Sequence, residues 1–90
     1  MKESVIEKKV SDYAKAKGWL VYKFVSPNNK GVPDRIFIRK GKLLMIEFKA
    51  LGKKPTKLQD SVISKLRNEG VLVYVIDNVA DGKALIDRLN

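Results

Sequence analysis

The chain has 90 residues, 44% of them hydrophobic, and carries 19 Lys and Arg against 10 Asp and Glu. A chain of this length reads as one domain, residues 1–90, with a modest core. It contains no Cys and no His, which excludes a disulfide framework, a thiolate nucleophile, a Cys-based zinc site, a Ser-His-Asp triad and the commonest transition-metal ligand. The net charge of +9 points to a polyanionic partner, nucleic acid ahead of an anionic membrane. No apolar run approaches the roughly 20 residues that a membrane span needs. The start, "MKESVIEKKV", lacks the apolar region of a signal peptide, so the chain is expected to be soluble and cytoplasmic.

Residues 3–17 predict a helix. Ile6, Val10, Tyr13 and Ala14 fall on one stripe at a period of 3.6, and Gly18 ends it. "WLVYKFV", 19–25, is aromatic and β-branched and predicts a strand. "SPNNKG", 26–31, is a loop by its Pro, Asn and Gly content. Residues 34–39 and 42–50 predict two strands joined at Lys40-Gly41. "LGKKP", 51–55, is a basic loop, and Pro55 or Thr56 opens a second helix that runs to about Asn68 and stops at Gly70. "VLVYVI", 71–76, has the continuous apolar pattern of a strand buried on both faces. A last helix covers about 79–89, with Leu85, Ile86 and Leu89 inward. The order is α-β-β-β-α-β-α, with no repeat or linker.

A hairpin centred on Lys40-Gly41 sets Arg39 opposite Lys42, Ile38 opposite Leu43, Ile36 opposite Met45 and Asp34 opposite Glu47. Alternation along the strands then places Asp34, Ile36 and Ile38 on one face with Leu43, Met45, Glu47 and Lys49. Opposed Cβ atoms lie about 4.5–5.5 Å apart, so two carboxylates converge beside a lysine. Like charges so placed are unfavourable, and in a dry site they do not both stay ionised. A hard divalent cation offsets that cost with oxygen ligands alone, and Mg²⁺ suits two carboxylates plus waters. The plainer account is that Asp34 shapes a turn after Pro33 and Glu47 pairs only with Lys49. Three further polar residues favour a cluster. Glu3 projects between Val10 and Ala14 within the apolar stripe of the first helix, and Glu7 sits at its edge. Gln59 lies on the inward face of the second helix beside Leu58 and Val62. Buried polar groups need partners, and one shared cluster supplies them.

These residues resemble a known family. "GVPD" followed by "IEFKA" is similar to the Pro-Asp…Glu-x-Lys signature of the PD-(D/E)XK nuclease superfamily. The set "ESVIE", "YKFVSPNNKGVPDRI", "IEFKA" and "KLQ" resembles its VRR-NUC (virus-type replication-repair nuclease) branch over about residues 3–76. The resemblance implies an α/β, restriction-endonuclease-like αβββαβ core with a mixed central sheet flanked by helices. It implies a metal-dependent endonuclease, with Mg²⁺ or Mn²⁺ held by Asp34, Glu47 and a backbone carbonyl near Phe48. Lys49 is then the catalytic lysine, Glu3 the helix-1 acid, and Gln59 supports the site from the second helix. The family pattern has Gln where this chain has Glu7, which leaves Glu3 or Glu7 to serve the metal, Glu3 being favoured by alignment.

Substrate grip is expected from Lys23, Asn28, Asn29, Lys30 and Arg35 around the site and from Lys53, Lys54 and Lys57 at the start of the second helix, where the helix dipole also favours phosphate. Nothing resembles a base-reading element, so recognition is expected through backbone and shape. Compact, often phage-borne members of the branch imply a homodimer that cuts four-way DNA junctions, two-fold symmetric like its substrate. Trp19, Tyr22 and Phe24 fit either an interface or the core. Cleavage of flap or duplex DNA, a non-catalytic basic DNA-binding module and a structural basic protein are the competing readings.

Overall fold

The computed structural model covers residues 1–90. Its elements are α1 (Glu3–Ala16), β1 (Leu20–Lys23), β2 (Arg35–Arg39), β3 (Lys42–Phe48), α2 (Lys57–Asn68), β4 (Leu72–Ile76) and α3 (Val79–Leu89). The strands form one mixed sheet in the order β1-β2-β3-β4. β1, β2 and β3 pair antiparallel, and β4 runs parallel to β3. No helix is long and apolar enough to cross a membrane.

Alternating side chains give the sheet two apolar faces. One carries Val21, Phe37, Leu44, Ile46, Phe48 and Ile76, which pack with Ile6, Val10 and Ala14 of α1 and Leu85 and Ile86 of α3. The other carries Met45 and Val73, which meet Ile63 of α2, with Phe24, Ile36, Leu66 and Val75 around them. α1 and α3 touch closely: a Cβ at Gly82 would lie 2.4 Å from Cγ2 of Val10. Trp19 is core, 2% exposed, and its Nε1 donates to Oδ1 of Asn90 at 3.0 Å. Tyr22 is on the surface and Phe24 is half-buried.

The hairpin has the expected register, with Arg39 opposite Lys42, Ile38 opposite Leu43 and Ile36 opposite Met45. Lys40 and Gly41 both take positive φ, 50° and 79°, as a two-residue turn matched to strand twist requires. The last expected pair is altered. Regular pairing stops at Arg35 opposite Ile46, and the Asp34 amide donates to the carbonyl of Ile46 at 3.1 Å. Asp34 and Glu47 therefore come together at a slipped strand end and not as a regular ladder pair.

Other expectations are corrected. The first strand is shorter than 19–25, because its partner β2 begins only at Arg35, opposite Lys23, and the turn at Ser26-Pro27 follows. The third strand stops at Phe48, although the Lys49 amide still donates to the Ile76 carbonyl. β4 is covered on both faces but is an edge strand, and its first residue, Leu72, is 43% exposed. Glu3 lies on the azimuth of the apolar stripe but is exposed, because it is the first residue of α1. Leu58 is also exposed, at 52%. It lies against the loop at Gly31, whose Cβ would be 3.0 Å from Leu58 Cγ, and not against the sheet.

Candidate active site

The topology brings four chain ends to one edge of the sheet: the end of β1, the start of β2 and the ends of β3 and β4. Residues 24–34 and 49–56 leave the sheet there, so both basic loops emerge at the same edge. Glu3 of α1, Asp34 before β2 and Glu47 of β3 each offer a carboxylate oxygen, and these oxygens all lie within 4.8 Å of one another.

Each acid is held differently. Asp34 is half-buried, and its Oδ2 accepts from the backbone N–H of Phe48 at 2.7 Å. Glu47 is 1% exposed. Its Oε2 accepts from Nε2 of Gln59 at 3.0 Å and has Nζ of Lys49 at 3.4 Å. Its Oε1 is buried with no partner. Burial is the main cause that pushes the Glu47 carboxyl up to about 7, with the Asp34 charge adding to it and Lys49 opposing. Asp34 also lies above its ordinary value, chiefly through burial, against the opposing bond from Phe48. Glu3 is raised by desolvation of its carboxyl end and then by the charge of Asp34.

Three acids whose ionisation is disfavoured, one with an orphaned buried oxygen, form a donor set that suits a hard divalent cation. Asp34, Glu47 and Glu3 are the carboxylates that could hold one. Glu7 is turned elsewhere: its Oε2 accepts from Nε of Arg35 at 2.6 Å, in a pair whose side chains are 16% and 19% exposed. Of Glu3 and Glu7, the structure thus groups Glu3 with Asp34 and Glu47. Phe48 meets Asp34 through its amide.

Gln59 reaches Glu47 from the first turn of α2, as its inward placement in the sequence suggested. Lys23, Asn29, Lys30, Lys53, Lys54 and Lys57 are exposed. The loop with Asn29 and Lys30 rests on α2 at Gly31, against Leu58 and Val62, and the turn that carries Lys53 and Lys54 leads into the same helix. That turn is pinned to the end of β4, where the Gly52 amide donates to Oδ2 of Asp77 at 3.0 Å. Sequence reasoning missed Thr56 as a neighbour of the site. Thr56 caps α2 and forms a reciprocal capping box with Gln59, and the signal was present in the Thr-x-x-Gln spacing.

No protein-family model matches the chain. It is 39% identical over 79 residues, 87% of its length and 85% of the relative's, to "Putative nuclease p44" of Acyrthosiphon pisum secondary endosymbiont phage 1. A solved structure described as "VRR_NUC domain" superposes with a TM-score of 0.90 at 25% identity, covering 100% of this chain and 99% of that one. The chain belongs to the VRR-NUC nuclease family. A second solved structure, "VRR_NUC domain protein", has the same fold at a TM-score of 0.80 and 20% identity, over 97% of this VRR-NUC chain and 86% of the other.

Proposed function

We propose that this VRR-NUC chain is a metal-dependent DNA endonuclease that hydrolyses phosphodiester bonds in structured DNA, acting as a homodimer on four-way junctions. The observation that carries the reading is the convergence of Glu3, Asp34 and Glu47 within 4.8 Å, with Lys49 beside Glu47. Asp34, Glu47, Glu3 and the backbone around Phe48 would hold Mg²⁺ or Mn²⁺. When bound, the cation would act as a Lewis acid on the phosphodiester and lower the pKa of water. Lys49 orients the attacking water or stabilises charge developing on phosphorus-bound oxygen. Gln59 fixes the Glu47 carboxylate.

Lys23, Asn29, Lys30, Arg35, Lys53, Lys54 and Lys57 grip the DNA backbone from the two loops and from the ends of β1, β2 and α2 that flank them. Contacts to phosphate position a duplex without reading its sequence, which suits recognition by shape. The homodimer is supported by an uncovered part of the sheet. Leu20, Ile38 and Leu43 align across three strands on the face that α2 covers only in part. Leu20, Leu43 and nearby Tyr22 are 55%, 44% and 57% exposed. With a phage relative, the place of action is the cytoplasm of a bacterial or phage-infected cell.

Labelled four-way junction, flap and linear duplex, each incubated with protein and Mg²⁺ or Mn²⁺, test the substrate. Light scattering of the protein at the assay concentration tests the dimer. Cleavage of the junction alone by a dimer is expected. Equal cleavage of flap or duplex, or a monomer that cuts, would reject the junction reading while leaving nuclease chemistry in place.

A further inference from the structure

Gln59 makes three bonds in one place. Its backbone N–H donates to Oγ1 of Thr56 at 3.2 Å. Its side-chain Oε1 accepts from the backbone N–H of Thr56 at 2.9 Å. Its Nε2 donates to Oε2 of Glu47 at 3.0 Å. The first two bonds are the capping box of α2. The third joins that box to the buried carboxylate of the acidic group.

A side-chain amide has a donor end and an acceptor end. Turned the wrong way, Gln59 would present an oxygen to the Glu47 carboxylate, two acceptors facing in a buried site. The Thr56 N–H removes that choice: it holds the oxygen, so the NH₂ group must face Glu47. Thr56 sits at φ −67° and ψ 167°, and its hydroxyl keeps it there by accepting from Gln59. Glu47 needs this because its other oxygen has no partner in the chain, so Gln59 and Lys49 are the groups that fix its rotamer.

We infer that Thr56 is a positioning residue for the active site: the capping box of α2 sets the orientation of the Gln59 amide and thereby aims the Glu47 carboxylate. The inference rests on the reading of Glu47 as a residue of the nuclease centre. It gives the N-terminus of α2 a role beyond helix stability. It also ties the basic turn at Lys53 and Lys54, which leads directly into Thr56, to the placement of the acid.

Three substitutions grade the effect. Thr56→Val removes the hydroxyl and keeps the N–H. Thr56→Pro removes both and is compatible with the φ of −67°. Thr56→Ser keeps both. The first readout needs no activity: the side-chain amide signals of Gln59 in the ¹⁵N–¹H spectrum of the metal-free protein. They are expected to be dispersed in the parent and Thr56→Ser proteins, shifted toward free-amide positions in Thr56→Val, and further in Thr56→Pro. The second readout is kinetic. Thr56→Val lowers kcat about tenfold, the lower end of the range for groups that hold a ligand in place, with KM for DNA unchanged, and Thr56→Ser restores it. Unmoved Gln59 signals in Thr56→Val, or a variant that loses melting temperature but keeps kcat, would overturn the inference. If the parent protein does not cut DNA, the nuclease reading fails, and the Gln59 signals still decide whether the box holds the amide. If Thr56→Pro does not fold, Thr56→Val decides alone.

Discussion

Glu47→Gln should make the metal-free protein more stable at neutral and alkaline pH while removing its activity. In the folded chain the Glu47 carboxyl is pushed from 4.5 up to about 7 by burial and by Asp34. Between those values the folded state binds more protons than the unfolded state, so stability falls as pH rises. The contribution is fully present below about pH 4.5 and is lost as pH passes through about 7. Asp34 and Glu3 are shifted in the same direction and deepen the fall. At about 1.4 kcal/mol per pKa unit the ionised Glu47 costs roughly 3 kcal/mol, and solvent reaching the open side of the site brings this to about 2 kcal/mol. The amide in Glu47→Gln still accepts from Gln59 and gains a donor that can face Asp34. The variant should therefore melt about 10 °C above the parent at pH 8 in EDTA, at about 4–8 °C per kcal/mol for a chain of this size. At pH 4.5 the two should melt together. Thermal melts of both proteins in EDTA across pH 4.5–8 measure this. A parent whose melting temperature does not fall over that range, or a variant no more stable at pH 8, would show that ionised Glu47 carries no such cost.

Mg²⁺ should reverse the same penalty: at a hundred times its Kd it stabilises the parent by about 2.7 kcal/mol, and thermal melts of Asp34→Ala should show little response. Arg35→Ala removes the partner of Glu7 and one cationic contact, so DNA binding measured by fluorescence anisotropy should weaken at low salt and the salt-dependence slope should drop by about one. Gly82→Ala forces a Cβ to within 2.4 Å of Val10 where α1 meets α3, and should cost about 1–3 kcal/mol in urea unfolding with no direct change at the acidic site.

Much of the architecture follows from local patterns. The element order, the turn at Lys40-Gly41 and the register it sets came from periodicity and from residues suited to positive φ, and these act over a few positions. The convergence of Asp34 with Glu47 came from the same counting, but the slip at Asp34 did not, because it depends on how β1 and β3 end on either side. Long-range pairings were hidden. The ion pair of Arg35 with Glu7 and the bond of Tyr13 to Asp87 at 2.7 Å join residues far apart in the chain and leave no periodic trace. Burial at element ends is not set by periodicity: Glu3 lies on the inward azimuth of α1, yet as the first residue of the helix it is exposed. Leu58 shows the same limit on α2. β4 carries the apolar run of an interior strand because a helix covers each face, which composition alone does not separate from a central position.

Metal-dependent catalysis at Asp34 and Lys49 is tested by cleavage of a labelled four-way junction by the parent protein, Asp34→Ala and Lys49→Ala, each with Mg²⁺ and with EDTA. Cutting is expected from the parent only with Mg²⁺, and from neither variant although both still bind the junction. Cutting in EDTA, or undiminished cutting by Asp34→Ala, would contradict metal-dependent catalysis there.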